Sequence, residues 1–216
     1  MSYKLSPSDF KYLWEDCRHC YYKKVKSNLQ LPSVPIPGIF NHMSGLFQRD
    51  LMGRKTSELK LDLPEGSFRH EERYVKSVPI PPSKESYISG RCDLITEFDD
   101  GNYGVLDMKM TDPGSDNLAK FDRQLHAYKF ALENPLEGEK PLQITKLGLV
   151  VYKPTEVTLH KGQVYYRGKP IWHEISINMD GFFSFIAEVE ALLDGPVPDP
   201  TDSCKWCQYR SLTEGS

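Results

Sequence analysis

The sequence predicts an α/β fold in which a mixed central β-sheet is flanked by helices, and three observations carry this prediction. Segments rich in β-branched and aromatic residues alternate along the chain with segments of helical periodicity. The turn sequence Asp-Asp-Gly-Asn at residues 99–102 separates two of the strand-like segments, which is typical of a β-hairpin. An amphipathic segment then separates this hairpin from another apolar run, as expected of a strand, helix, strand unit.

The size and charge of the chain indicate a single domain over residues 1–216. With 216 residues and 39% hydrophobic side chains, the chain buries an ordinary core without disulfide staples. No apolar run approaches about 18 residues and the start is polar, so we expect a cytoplasmic protein without a membrane partner. The net charge of -3 means that a nucleic-acid partner requires a local basic groove.

The amino-terminal part of the chain predicts two helices joined by a proline-rich loop. Ser6 is a candidate N-cap for the first helix, whose first turn tolerates Pro7. The prolines at 32–37 predict the loop, and residues 39–51 predict the second, amphipathic helix. Apolar positions repeat at spacings of three and four in the first helix, at Phe10, Leu13 and Trp14.

The remaining chain predicts seven strands and two helices. One helix covers residues 118–132, where apolar residues recur at alternating spacings of three and four, and it ends before Pro135. The other covers residues 182–193. The strand-like segments are 74–80, 87–98, 103–110, 146–152, 157–159, 164–166 and 172–177.

Charged residues interrupt two of the apolar strands. Asp107 and Lys109 share one face of the strand at 103–110, and pairing across the turn makes Asp93 a near neighbour of Asp107. Two adjacent carboxylates repel unless a cation lies between them, and oxygen ligands select Mg²⁺ or Mn²⁺. Such a site suits phosphodiester hydrolysis, with Lys109 orienting the attacking water or stabilising negative charge. The alternative is a strand-end ion pair between Lys109 and one acid.

The helix that follows this strand carries two polar side chains of interest. Gln124 and Tyr128 are four residues apart and therefore share one helix face. An amide and a phenol hold a phosphate or a sugar without adding charge. Tyr128 also fits the apolar stripe of its helix, so the alternative for it is a place in the core.

Four of the five cysteines form two Cys-x-x-Cys pairs at opposite ends of the chain. Four thiolates suit a tetrahedral Zn²⁺ or an iron–sulfur cluster, and either metal joins residues 1–30 and 195–216 into one region. The fifth, Cys92, opposes Asp93 on its strand and is expected in the core. The paired residues are Cys17 with Cys20 and Cys204 with Cys207.

Taken together, these motifs resemble the PD-(D/E)XK nuclease superfamily, in particular its RecB-like branch with the CRISPR-associated iron–sulfur exonucleases. The resemblance rests on Gly90-x-x-Asp93, Asp107-x-Lys109 and Gln124-x-x-x-Tyr128, together with the opening Leu-Ser-Pro-Ser-Asp-Phe and the Cys-x-x-Cys-Tyr-Tyr that follows. It covers roughly residues 5–130 and the terminal cysteines. It implies a restriction-endonuclease-like core and metal-dependent cleavage of DNA, often single-stranded and from an end.

The resemblance also implies roles for individual residues. Asp93, Asp107 and the backbone carbonyl of Met108 are the expected ligands of Mg²⁺ or Mn²⁺. His42, in the setting Gly38-x-x-x-His42, is the further expected ligand, with Gln48 as the competing position. The resemblance favours a [4Fe–4S] cluster at the four cysteines, but the branch commonly has one cysteine upstream and three downstream. The two-and-two arrangement here leaves structural Zn²⁺ open.

The sequence therefore supports three hypotheses about function. The first is a metal-dependent nuclease acting on DNA. The second is a nucleic-acid-binding subunit without catalytic activity, with protein partners in a DNA-processing complex. The third is a zinc-tied interaction domain, in which Asp107 and Lys109 form a simple ion pair.

Overall fold

A mixed six-stranded β-sheet with helices packed against it forms the core of the molecule, as the sequence predicts. The computed structural model describes residues 3–31, 38–81, 85–110 and 115–214. The loop predicted at the prolines of 32–37 lies outside these residues. Within the described ranges, no helix combines the length and the apolar character needed to cross a membrane.

Helices and strands alternate through most of the chain. A 3-10 turn at Thr56–Leu59 precedes the second strand. The helices are α1 (Pro7–Lys11), α2 (Leu13–Asp16), α3 (Arg18–Ser27), α4 (Gly38–Leu51), α5 (Ser115–Glu133), α6 (Met179–Asp194) and α7 (Lys205–Glu214). The strands are β1 (Tyr3–Leu5), β2 (Gly66–Pro79), β3 (Ser86–Phe98), β4 (Tyr103–Lys109), β5 (Ile144–Tyr152), β6 (Glu156–His160), β7 (Gln163–Arg167) and β8 (Pro170–Glu174).

Two different strands, β1 and β4, pair with separate parts of one edge of β3, an arrangement called the fork of the sheet below. Strand β2 pairs antiparallel with β3 over almost its whole length, so β1 and β4 share the opposite edge. On that edge β1 pairs with residues 86–88 and β4 pairs with residues 94–97. Residues 89–93 of β3 have no strand partner there among the described residues. A gap in the sheet therefore opens beside Gly90, Arg91 and Asp93.

Helix α5 connects two parallel neighbours, β4 and β5, and packs its apolar stripe on one face of the sheet. Phe121, Leu125, Tyr128 and Leu132 are buried there, which confirms the amphipathic helix that the spacing predicts. Because a strand alternates its faces, β4 contributes to two different cores. Leu106 and Met108 point into a smaller cluster with Leu51 and Phe68, away from Val105 and α5.

The amino-terminal helix differs from the prediction. It is interrupted at Tyr12, so α1 and α2 are separate short helices. The predicted cap is also wrong in detail, because the Ser6 side chain accepts no helix amide and its hydroxyl lies 3.0 Å from that of Ser8. Strand β1 and helix α7 have no counterpart in the sequence prediction. Strand β1 has three residues, too few for a period of two to be recognised.

Strand β2 differs from its predicted start, and strands β6 and β7 differ in their position relative to the main sheet. Strand β2 begins eight residues before the predicted start at 74, within a highly charged stretch. Among the strands of the described residues it pairs only with β3, so it forms an edge of the sheet, and isolated bridges join Ser67 to Lys55 and Ser77 to Pro135 there. The predicted strands β6 and β7 pair with each other in a separate two-stranded sheet, and Val157, Leu159, Val164 and Tyr166 on it are exposed.

Candidate active site

Asp93 and Asp107 lie side by side on β3 and β4. In the antiparallel register Leu94 is opposite Leu106. Asp93 precedes Leu94 and Asp107 follows Leu106, so the two aspartates are the next residues opposite each other. The Nζ of Lys109 lies 2.5 Å from Oδ2 of Asp107 and 4.0 Å from Oδ2 of Asp93. The proximity that the hairpin turn predicts is confirmed.

Burial and neighbouring charges shift the pKa values of Asp93 and Lys109. Burial raises the pKa of Asp93 to about 7, and the negative charge of Asp107 adds to this increase against the opposing effect of Lys109. Burial lowers the pKa of Lys109, but the carboxylates of Asp107 and Asp93 outweigh that effect and raise it overall. Lys109 is therefore cationic near neutral pH, whereas Asp93 exchanges its proton there.

Oxygen atoms with spare acceptor capacity converge at this point. Oδ2 of Asp107 is buried, and its one close partner among the described residues is the ammonium of Lys109 at 2.5 Å. The amide of Met108 donates to Oδ2 of Asp93 at 3.3 Å, and the carbonyl of Met108 accepts from Lys109 at 3.2 Å. Two carboxylates and one carbonyl are hard donors, so this set fits a divalent cation such as Mg²⁺ or Mn²⁺.

Gln124 and Tyr128 reach the site from α5, and both are buried. Nε2 of Gln124 lies 3.5 Å from Oδ1 of Asp107 and donates to it. The hydroxyl of Tyr128 donates to the backbone carbonyl of Arg91 at 2.6 Å, on the unpaired edge of β3. Burial raises the pKa of Tyr128, which keeps the phenol protonated. Tyr128 thus combines a place in the core with a polar contact two residues before Asp93.

An open cleft of about 690 Å³ lies over these residues. The gap in the sheet forms its floor, and α1, α4 and α5 provide its walls. Tyr12 and Phe40 stand at its rim with 55% and 39% of their surface exposed. Arg91 and Lys109 also line it.

The structure does not bring His42 to the carboxylates. Its side chain is exposed on α4, and the residues of α4 that line the cleft are Phe40, Asn41 and Ser44. Gln48, the competing position, is buried and donates to the hydroxyl of Ser44 at 3.1 Å, outside the cleft lining. The helix that carries His42 therefore lines the cleft, but it presents other side chains to it.

Lys11 is a buried, charged residue of the cleft that the sequence did not identify. Only 5% of Lys11 is exposed, its Nζ lies 3.4 Å from the centre of the Phe121 ring, and it lines the cleft beside Lys109. Burial and the positive charge of Lys109 lower the pKa of Lys11 to about 7. In the sequence it stands in an Asp/Glu-x-Lys tripeptide at 9–11, a pattern that also occurs at 58–60 and 107–109. Only the packing of α1 against α5 distinguishes it.

The four paired cysteines meet as predicted. Their sulfur atoms all lie within 4.8 Å of one another, and all four residues are buried. They are the one group of three or more His, Cys, Asp or Glu residues in the described part of the chain with such close ligand atoms. Cys92 is buried in the core, as predicted, and its thiol donates to the carbonyl of Leu94.

Known proteins were then compared with this chain. No curated protein sequence is significantly similar to it. Seventeen chains of solved structures are similar. One of them, described as "Crystal structure of SSO0001", is 16% identical and has a TM-score of 0.49, with 97% of this chain and 84% of that chain covered. We draw no conclusion from a likeness of this size.

The sequence profile of one family matches residues 44–212. The matched range includes the forked edge of β3, all of β4, helix α5 and the second cysteine pair. Because this range is most of the chain, the match decides the family. The chain belongs to the PD-(D/E)XK nuclease superfamily.

Proposed function

We propose that the protein is a metal-dependent deoxyribonuclease that hydrolyses phosphodiester bonds of single-stranded DNA or of DNA ends. Members of this superfamily are generally nucleases that use divalent metal ions, so a nucleic-acid substrate follows from the family. One observation supports catalytic competence in this chain most strongly. The carboxylates of Asp93 and Asp107 and the carbonyl of Met108 converge on one side of the cleft, where Lys109 is the cation beside all three.

The proposed metal site consists of Asp93, Asp107 and the carbonyl of Met108. A Mg²⁺ or Mn²⁺ ion held there supplies positive charge to a phosphate and acidifies a bound water. Asp93 must lose its proton before it serves as a ligand, because its pKa is about 7. We leave His42 out of the proposed ligand set, because its side chain is exposed and does not line the cleft.

Lys109 is the proposed catalytic lysine. Its raised pKa keeps the ammonium protonated, so it acts as a hydrogen-bond donor and not as a general base. From its position beside both carboxylates it orients the attacking water and stabilises negative charge on the phosphate. Lys11 adds a second amine to the same cleft.

Gln124 and Tyr128 are proposed to position the catalytic strands. The Gln124 amide donates to Asp107 and so orients a proposed metal ligand. The Tyr128 hydroxyl holds the Arg91 carbonyl, which sets the course of β3 just before Asp93. Neither side chain adds charge beside the metal.

The rim of the cleft supports the preference for single strands. Tyr12 and Phe40 offer exposed rings on which unpaired bases stack, whereas the bases of a duplex already stack on one another. Arg91 supplies positive charge near the floor of the same cleft for the phosphate backbone. The chain as a whole has a net charge of -3, so this local charge matters more than the overall field.

The test is cleavage of end-labelled single-stranded DNA with Mn²⁺ by the wild-type protein, Asp107→Asn and a matched control, Asp62→Asn. Asp62 is an exposed aspartate outside the cleft. We expect metal-dependent cutting by the wild type and the control, and none by Asp107→Asn. Circular single-stranded DNA, which has no end, is tested beside it and shows whether cleavage requires an end.

Two results would overturn the proposal. Equal cutting by Asp107→Asn would place the activity elsewhere. Intact DNA with folded wild-type protein and either metal would favour a nucleic-acid-binding subunit without catalysis, and DNA binding measured on the same samples would identify it. If the circle is cut as well as the linear DNA, cleavage does not require an end, and the rest of the proposal stands.

A further inference from the structure

The sulfur atoms of the four paired cysteines are as close together as the ligands of one metal ion. The distances are 3.6 Å between Cys17 and Cys207, 3.6 Å between Cys20 and Cys204, and 3.5 Å between Cys20 and Cys207. From this spacing we propose that Cys17, Cys20, Cys204 and Cys207 bind a single tetrahedral Zn²⁺. This differs from the [4Fe–4S] cluster that the resemblance to iron–sulfur exonucleases favours.

The geometry separates the two metals. A Zn–S bond of about 2.3 Å places the ligands of a tetrahedron about 3.8 Å apart, close to the distances observed here. In a [4Fe–4S] cluster each thiolate binds a different iron, so the body of the cluster holds the thiolates apart. Sulfur atoms that all lie within 4.8 Å of one another leave no room for four irons and four sulfides. The site therefore fits zinc and does not fit the cluster.

The chain builds both halves of the site in the same way. Cys17 immediately precedes α3 and Cys204 immediately precedes α7, and their partners lie in the first turn of each helix. The amide of Cys20 points to the sulfur of Cys17 at 3.5 Å. Helix amino termini carry partial positive charge, so two such termini favour the negative charge of the thiolates.

A guanidinium group supports the sulfur atoms from one side. Nη2 of Arg210 lies 3.3 Å from the sulfur of Cys20 and 3.6 Å from that of Cys207, and it donates to both. Four thiolates around one Zn²⁺ leave a charge of about -2, which a neighbouring cation offsets in part. Hydrogen bonds from such neighbours usually strengthen metal binding.

All four cysteines are buried, so the site offers no open coordination position. A closed Cys₄ site is structural, because a catalytic zinc keeps one position for water or substrate. Here it joins the amino-terminal helices to α7 at the other end of the chain. Those helices include α1, which contributes Lys11 to the cleft, so zinc supports the proposed nuclease site from a distance.

The experiment measures metal content and is independent of nuclease activity. Protein purified anaerobically from cells supplied with iron and zinc is assayed for zinc, iron and acid-labile sulfide, and its zinc X-ray absorption spectrum is recorded. We expect about one zinc per chain, little iron or sulfide, no brown colour and a single shell of four sulfurs at about 2.3 Å. About four irons and four sulfides per chain would overturn the proposal, as would protein that binds neither metal.

Variants connect the zinc to these residues. Cys204→Ser should lower the zinc content, whereas Cys92→Ser, at a buried thiol outside the group, should leave it unchanged. Loss of a ligand also threatens folding, so Arg210→Gln is the second variant. It retains all four thiolates and should still hold one zinc, but release it to a competing chelator at a roughly 10-fold lower concentration. Equal zinc content in Cys204→Ser and the wild type would contradict the assignment.

Discussion

The two candidate metal sites of this protein differ in almost every physical property. The carboxylate site uses oxygen donors at a fork in the sheet, opens into a cleft and leaves 30% of the Asp93 side chain exposed. The cysteine site uses sulfur donors that are buried and close around one point. An open site of hard donors exchanges water and substrate, whereas a closed site of soft donors stabilises a fold.

The sites also differ in how the chain assembles them. Asp93 and Asp107 are neighbours through one short hairpin turn, so the carboxylate site forms locally. Cys17 and Cys207 are 190 residues apart, and their meeting requires almost the whole fold. Loss of a carboxylate should therefore reduce activity more than stability, whereas loss of a thiolate should reduce stability.

The largest expected effect is on catalysis. Asp107→Asn keeps the shape of the side chain but removes the charge that holds a cation, so we expect cleavage to fall by about 1,000-fold or more. The melting temperature should change by no more than a few degrees, because the asparagine oxygen still accepts from Gln124 and Asp93 remains beside Lys109. Single-turnover cleavage rates and thermal unfolding check the two parts. A large loss of stability would assign Asp107 a structural role.

The opposite pattern is expected at the cysteines. Cys207→Ser should lower the free energy of unfolding by at least about 3 kcal/mol, because a metal that closes a very long loop is lost. Urea unfolding with and without a chelator measures this. The chelator should destabilise the wild type and have little effect on the variant. Unchanged stability in Cys207→Ser would remove the contrast between the two sites.

Protons should compete with metal at the carboxylates. Because the pKa of Asp93 is about 7, binding of Mn²⁺ should release roughly one proton per protein molecule at pH 6 and almost none at about pH 8.5. In metal-free protein the folded state holds this proton more tightly than the unfolded state does. The contribution of Asp93 to stability is therefore present at low pH and is lost as pH rises from about 4 to 7.

Calorimetry in buffers of different ionisation enthalpy measures the released protons. The free energy of unfolding, measured for the wild type and for Asp93→Asn across this pH range, gives the contribution of Asp93 to stability. A proton release independent of pH, or equal pH profiles for the two proteins, would show that Asp93 does not titrate at the site.

A substitution at Lys11 should reduce cleavage moderately. The change to Met removes the charge of the side chain but keeps most of its volume. Lys11→Met fills the space against Phe121 without an amine, and we expect about a tenfold loss of cleavage with an intact fold. The folded pKa of about 7 lies below the ordinary 10.5, so Lys11 costs stability progressively as pH falls from 10.5 to 7. Lys11→Met should therefore be more stable than the wild type near pH 7. Unaltered cleavage would assign the amine no part in the reaction.

The smallest effect is expected at Tyr128. Tyr128→Phe keeps the ring in the core and removes one hydrogen bond to the Arg91 carbonyl, which costs about 1 kcal/mol of stability. Cleavage should fall only a few-fold, since the hydroxyl contacts backbone and not the metal donors. Chemical unfolding and the cleavage rate measure both. A loss as large as that of Asp107→Asn would show that the hydroxyl contacts the substrate.

Local patterns in the sequence were sufficient for the carboxylate site. The alternation of faces placed Asp107 and Lys109 together, and the four-residue turn placed Asp93 opposite Asp107, since pairing across a short turn has one register. The stripe of α5 likewise placed Gln124 and Tyr128 on the side that meets the sheet. These relations extend over few residues, so the sequence by itself determined them.

Tertiary packing decided what local patterns could not. His42 lies on the predicted helix, but the orientation of α4 on the sheet keeps it out of the cleft, and the packing of α1 on α5 brings Lys11 into it. The cysteine spacing predicted four ligands without choosing between zinc and a cluster. That choice depends on how closely two chain ends approach, a distance that the packing of the whole fold sets.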